Sequence, residues 1–368
     1  MVDGGAERGT ALAGRNGVND PHIVDGPLGI AAPLSDVDEV ELLARNGATE
    51  FYCGVAPAAW AARYGASWLN RRARGRANVP SVDHVAALAS AAHACGCALR
   101  VTLNAPFYTG DQLGEVAELA ESLLGVGADG LVVTDVGLLV ALRDRGLAGA
   151  VTLSSVAAVH NAGAAAFFRE LGVRRMVLPR HVRVSEVASI HARLPDVALE
   201  VFVLNDGCVY EEGHCATTHA LGTFCLTPWT HDLRRVDGAE PTEDERRSFA
   251  AAASEHRRWI WHVDNCGSSF SDQGLPNGPC GLCAIGALRD AGVRCLKIVG
   301  RESSTFRKVR SVRLVNSVVA QLAGGASDAT AAAYARDLRN TPELCGPGYM
   351  CYYRDGDPAR SDERGQFG

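Results

Sequence analysis

The chain has 368 residues, 42 acidic against 36 basic side chains, a formal net charge of −6, and 47% hydrophobic and 21% charged residues. Those proportions exclude wholesale disorder, and the charge excludes a global field for nucleic acid or an anionic membrane. No run approaches the ~18 apolar residues of a spanning helix, and the N-terminus lacks the apolar core of a signal peptide, so the chain reads as soluble and cytoplasmic with residues 1–20 a disordered tail.

Short apolar runs then alternate with amphipathic stretches. The predicted strands are Leu28–Ala32, Glu50–Val55, Leu99–Asn104, Gly130–Thr134, Ala150–Ser154, Arg175–Leu178, Leu199–Leu204 and Cys295–Val299. Their nearly continuous Val, Ile and Leu content is that of strands buried on both faces. Between them Val37–Asn46, Val82–Cys95, Gln112–Leu124, Ala162–Leu171 and Val184–Leu194 read as helices. Gly47, Gly96 and Gly172 supply C-terminal stops. Eight strands in βα alternation predict a (β/α)8 TIM-type barrel. An open doubly wound sheet is the alternative, and no GxGxxG or GxxxxGK[ST] follows the first strand to support it.

The spacing breaks once. Residues 21–204 hold strands one to seven, residues 205–290 form a cysteine-rich insertion, and residues 291–340 carry strand eight with closing helices Phe306–Leu322 and Asp328–Leu338. The insertion contains a charged helical segment, Glu240–Arg258, and belongs on the C-terminal face, where barrel active sites are built. Residues 341–368 read as a cysteine-bearing segment followed by a polar tail after Arg354.

Of twelve cysteines, Cys53, Cys95, Cys97 and Cys295 read as buried thiols. The other eight lie in Gly-, Pro- and Asn-rich sequence of the second half, a distribution that points to metal. Cys208, Cys215, Cys225 and Cys266 are irregularly spaced. That spacing fits a [4Fe–4S] cluster better than zinc, which favours paired CxxC knuckles, although zinc and free thiols stay open. Cys280, Cys283, Cys345 and Cys351 are candidates for a second metal site.

Residues just past each strand converge on one mouth, which should hold Asn104, Asp135, Ser155, Arg180 and Arg301, with Lys297 inside the last strand. Two arginines and a lysine suit an anionic substrate, a carboxylate or phosphate. The bland alternative is that Arg180 and Arg301 pair with local carboxylates to tie loops together. Only two lysines occur, Lys297 and Lys308, against 34 arginines. A lysine kept in such a chain marks a compact point charge or a nucleophile, or nothing more than chance. HExxH and GxSxG are absent.

The run Leu199–Cys215, LEVFVLNDGCVYEEGHC, resembles the signature segment of the peptidase U32 (collagenase-like protease) family. Ala31–Gly54, Val101–Asn104, Gly127–Leu139, Val151–Asn161, Arg174–Val187 and Ala291–Ser304 resemble its other units in order, with Val299 where glutamate is usual. The resemblance implies a barrel, and Cys208, Cys215, Cys225 and Cys266 as ligands of a [4Fe–4S] cluster. Lys297 and Arg301 match a basic pair and are candidates for binding a carboxylate donor. Iron–sulfur members perform oxygen-independent hydroxylation in ubiquinone synthesis as heterodimers, with prephenate implicated as oxygen donor. Others take part in tRNA or rRNA hydroxylation, and some are called proteases. The favoured expectation is oxygen-independent hydroxylation of a small molecule. Lys297, Arg301 and Arg180 would hold donor carboxylates, and Asn104, Asp135 and Ser155 would orient the substrate. The alternatives are a peptidase, an RNA hydroxylation factor using the basic run Asn70–Arg76, and a non-catalytic metal-binding subunit of a paralogous pair.

Overall fold

A computed structural model describes residues 27–65, 69–72, 75–205, 207–208, 211–215, 230–266, 269–348 and 350–360. The predicted tail at residues 1–20 and Cys225 lie outside them.

The apolar runs form strands β1 (Gly29–Pro33) and β2 (Glu50–Val55), the short β3 (Asn78–Val79), then β4 (Ala98–Leu103), β5 (Gly130–Val133), β6 (Val151–Leu153), β7 (Arg175–Val177), β8 (Ala198–Leu204) and β9 (Val293–Ile298). Omitting β3, which edges β2, the strands close as β1–β2–β4–β5–β6–β7–β8–β9 and back to β1. Every pairing is parallel. This is the (β/α)8 TIM-type barrel.

The helices in chain order are α1 (Val40–Arg45), α2 (Ala58–Tyr64), α3 (Val82–Ala94), α4 (Gly110–Gly125), α5 (Val136–Asp144), α6 (Ala162–Glu170), α7 (Val184–Arg193), α8 (Glu243–Cys266), α9 (Ile285–Asp290), α10 (Thr305–Ala323), α11 (Asp328–Arg339) and α12 (Pro342–Cys345). Side-chain caps start several of them. Ser81, Asn161 and Ser304 accept from the backbone N–H three residues on, which satisfies donors that a helix start leaves orphaned. None of the helices described is long and apolar enough to cross a membrane.

Strand alternation explains what lies inside. In β4, Leu99, Val101 and Leu103 join the apolar core; in β8, Leu199, Val201 and Val203 do the same. The intervening Arg100, Thr102, Glu200 and Phe202 therefore face the barrel interior. A strand can be buried throughout and still carry charge on one face.

Two expectations change. Helix α8 runs on to Cys266 instead of ending near Arg258; Thr242 and Glu245 exchange backbone–side-chain bonds at its start. Residues 354–360 are packed, not a tail. Asp357 is only 6% exposed and pairs with Arg336 and Arg360, because a carboxylate between two guanidiniums is held more firmly than one in water.

Candidate active site

The barrel interior holds a chain of charges. Arg100 Nε donates to Glu50 Oε2 at 3.0 Å, and Arg175 Nη1 donates to Glu50 Oε1 at 2.9 Å. Arg175 also bonds Glu200 Oε2 through Nε and Nη2 at 3.0 and 2.8 Å. Lys297 Nζ reaches Glu200 Oε1 at 2.7 Å and lies 4.2 Å from the centre of the Tyr52 ring. Burial alone would push the Glu200 carboxyl up; the Lys297 and Arg175 charges beside it instead hold it at about 2. Lys297 is thus a buried, paired cation, not a free nucleophile.

Above this chain sits Arg301, 8% exposed, just beyond β9. Its Nη1 donates to Ala77 O at 3.1 Å and Thr102 Oγ1 at 2.9 Å, and its Nη2 to Asn70 Oδ1 at 3.2 Å. All these partners are neutral, and burial brings the guanidinium down to about 10. The expected alternative, a local carboxylate tie, does not occur for Arg301 among the described residues. Gly54 makes the room: a Cβ there would lie 2.0 Å from Arg301 Nη1 and 2.0 Å from Asn78 Oδ1. The backbone of Arg301 is also held. Its carbonyl accepts from Ser35 Oγ at 2.5 Å, and Ser35 and Glu39 Oε2 both accept from Lys308 Nζ, at 2.7 and 2.8 Å.

The remaining mouth residues take several parts. Asn104 Nδ2 donates to Ser154 Oγ at 3.1 Å, linking β4 to β6. Asp135 caps α5: Oδ1 accepts from Leu138 N at 2.7 Å and Oδ2 from Tyr108 N at 3.3 Å. Both its oxygens serve the backbone, which gives Asp135 a structural part at the mouth. Ser155 is buried in the turn Ser155–Ala157. Arg180 lies with its guanidinium carbon 4.1 Å from the Phe202 ring centre, a stacking contact inside the barrel.

The cysteine loop leaves β8 at Asn205, which adopts φ 65° and donates Nδ2 to Val299 O at 3.3 Å and to Ser311 Oγ at 3.2 Å. Cys208 and Cys215 follow, both half-buried. Gly213 packs the loop onto the β6 turn, where an added Cβ would meet Ala158 Cβ at 2.7 Å and Val156 O at 2.8 Å. His160 Nε2 and Glu211 Oε2, 3.4 Å apart, join the same two loops. Cys266 ends α8, and its side chain lies outside the described residues, as does Cys225. Among the described residues no three His, Cys, Asp or Glu side chains stand close enough to share one metal ion.

Cys280, Cys283, Cys345 and Cys351 line one cavity beside the end of β8. Of the thiols expected to be buried, Cys53, Cys97 and Cys295 are; Cys95 is exposed, since it caps the C-terminus of α3.

Glu50, Arg100, Arg175, Glu200 and Glu39 were not among the predicted site residues. A signal existed for three of them: Arg100, Arg175 and Glu200 are charges placed inside otherwise apolar strand runs.

Fold and site together define a parallel (β/α)8-barrel protein with a charged interior and a cysteine-rich insertion beyond its seventh barrel strand. The sequence profile of Peptidase family U32 matches residues 35–359, and the chain belongs to that family. It is 26% identical over 221 residues to the 23S rRNA 5-hydroxycytidine C2501 synthase of Escherichia coli (strain K12), a match covering 60% of this chain and 30% of that protein. It is 27% identical over 124 residues to tRNA hydroxylation protein P of Haemophilus influenzae, covering 34% of this chain and 27% of that one. With tRNA hydroxylation protein P1 of Bacillus subtilis (strain 168) it shares 22% identity over 230 residues, 60% of this chain and 51% of that one. The matched regions thus span from a quarter to a half of these relatives' lengths. Among solved structures it is similar to the U32 peptidase Mk0906, with 18% identity over 53% of this chain and 72% of that one and a TM-score of 0.35.

Proposed function

We propose that this chain is an RNA-directed enzyme of its family that takes part in hydroxylating a base of tRNA or rRNA. The relatives described above are named for rRNA or tRNA hydroxylation. The observation that carries the reading to this chain is where the described residues of its basic run lie. Asn70, at the head of Asn70–Arg76, bonds Arg301 at the mouth, and Arg76 is largely exposed while reaching Glu39 at 3.8 Å. A basic loop at a barrel mouth supplies locally the phosphate attraction that a net charge of −6 does not supply globally. An RNA acceptor is therefore preferred to the small-molecule acceptor expected from the sequence.

A [4Fe–4S] cluster would be held by Cys208, Cys215, Cys225 and Cys266. Cys208 and Cys215 fit as half-buried cysteines on a loop anchored at Asn205 and at Gly213. When bound, the cluster supplies Lewis-acid or one-electron chemistry. Arg301, a buried cation on neutral partners, is the group suited to a carboxylate of an oxygen donor such as prephenate. Lys297 adds positive field from below, already neutralised in part by Glu200. Asn104 and Ser154 offer a paired amide and hydroxyl for orienting a base. The peptidase alternative finds little support at Cys53, the thiol nearest this cradle, because burial pushes it up to about 12, where it stays protonated.

The test is nucleoside mass spectrometry on tRNA and rRNA from cells lacking the gene, and from the same cells carrying the wild-type chain or Arg301→Met. A hydroxylated nucleoside restored only by the wild type is expected. An unchanged nucleoside profile in all three strains overturns the reading.

A further inference from the structure

Four cysteines outside the loop just assigned come together from two segments of the chain. Cys280 and Cys283 bracket the entry to the turn Leu282–Ala284, Cys345 ends α12, and Cys351 lies in the C-terminal segment. Cys280 and Cys351 are set abreast as a parallel bridge: Cys280 N donates to Met350 O at 2.7 Å, and Tyr352 N donates to Cys280 O at 3.0 Å. Tyr352 Oη then donates to Asn205 O at 2.5 Å, tying the segment to the end of β8. All four are free thiols, and all four face one cavity of about 30 Å³.

Arg339 borders the same cavity and is 3% exposed. Its Nε donates to Thr341 Oγ1 at 2.9 Å, and its Nη2 to Asn277 O at 2.9 Å and Gly278 O at 2.6 Å. None of these carries charge, and among the described residues no carboxylate lies within ion-pair distance of Arg339. Asp357, the acid lining the cavity, is taken by Arg336 and Arg360. A guanidinium this deeply buried favours an anionic neighbour. Protonated thiols do not provide one, whereas four thiolates on a metal centre carry net negative charge.

We propose that Cys280, Cys283, Cys345 and Cys351 hold a second iron–sulfur cluster, with Arg339 as its buried counter-cation. No three described thiol, imidazole or carboxylate groups are close enough to share a single ion. Four cysteines lining one cavity beside a buried arginine suit a cluster, in which each sulfur binds a different iron. The assignment does not depend on the cluster proposed for Cys208 and its partners.

The experiment is anaerobic purification of the full chain, with iron, acid-labile sulfide and zinc measured per chain. The wild type is compared with Cys345→Ser/Cys351→Ser and with Cys208→Ser/Cys215→Ser. The first variant should lose about four irons and four sulfides relative to wild type, and the second should keep about four of each. The second arm reports this site alone, even if the first variant fails to fold. If the cluster at Cys208 is the wrong assignment, the second variant matches the wild type and the first still loses its iron. Unchanged iron and sulfide in Cys345→Ser/Cys351→Ser, a Cys208→Ser/Cys215→Ser chain devoid of iron, or loss of zinc without sulfide would each overturn the proposal.

Discussion

Lys297 Nζ donates to Glu200 Oε1 at 2.7 Å, although the two residues lie 97 positions apart. The chain's other lysine repeats the arrangement: Lys308 Nζ donates to Glu39 Oε2 at 2.8 Å across 269 positions. In a protein that otherwise uses arginine, both lysines are buried on a glutamate. A compact ammonium fits a tight interior site where a planar guanidinium does not.

Glu200 sets an acid limit on stability. Its carboxyl is held at about 2 in the fold, against an ordinary unfolded value of about 4.3. A depressed folded value means that the stabilisation is complete above the unfolded value and is lost as pH falls through the folded one. Urea unfolding should show stability declining from about pH 5 towards pH 2. Glu200→Gln should flatten that decline and cost roughly 3–5 kcal/mol at neutral pH, because Lys297 and Arg175 lose a shared counter-charge. A variant as stable as the wild type at neutral pH would refute the account.

Gly54 and Arg301 form a size-limited pair. Gly54→Ala forces a Cβ into the guanidinium and the Asn78 amide. A displaced charged hydrogen-bond network is worth about 1.5–3 kcal/mol, so substrate or donor affinity should fall roughly tenfold to a hundredfold. The far-ultraviolet circular dichroism should be unchanged. Arg301→Lys should lose as much, since one ammonium cannot span Asn70, Ala77 and Thr102 together. Affinity retained in both variants would remove Arg301 from the site.

Lys308 and Glu39 act as a support for the Arg301 backbone through Ser35. Lys308→Met alone should destabilise by roughly 3–5 kcal/mol, because it strands a buried carboxylate. The double substitution Lys308→Met/Glu39→Gln should recover much of that loss. Additive losses in a thermal-melt cycle would contradict direct coupling.

Gly213 fixes the Cys208–Cys215 loop against Ala158. Gly213→Ala should cost about 1–3 kcal/mol by overpacking. It should also lower the iron retained after anaerobic purification while leaving the barrel folded. Iron content equal to wild type would show that loop position does not govern ligation.

Much of the scaffold is legible residue by residue. The eight barrel strands appear as apolar runs because a strand covered on both faces needs apolar side chains on at least its helix-facing side. β3 escapes notice because two residues, Asn78 and Val79, carry no period. The capping part of Asp135 is not legible, because its position after a strand fits a cap and a mouth carboxylate equally. Only the backbone N–H groups of Leu138 and Tyr108 distinguish them. Arg301 is legible as a mouth cation, yet its partners are not, since they come from the segment after β2 and from β4.

The amino-acid sequence alone determined the element order, the barrel class, the family and the gathering of cysteines in the second half. The element order and barrel class follow from local periodicity and the family from motif resemblance, all of which a linear chain displays directly. Tertiary structure decided which charges pair, which cysteines share a cavity and which side chains support Arg301. Barrel closure brings Glu50 to Arg175 across 125 positions, and the C-terminal segment brings Cys351 to Cys280. Such partners are chosen by proximity in a low-dielectric interior, where an unpaired charge is too costly to remain, and no local pattern encodes that choice.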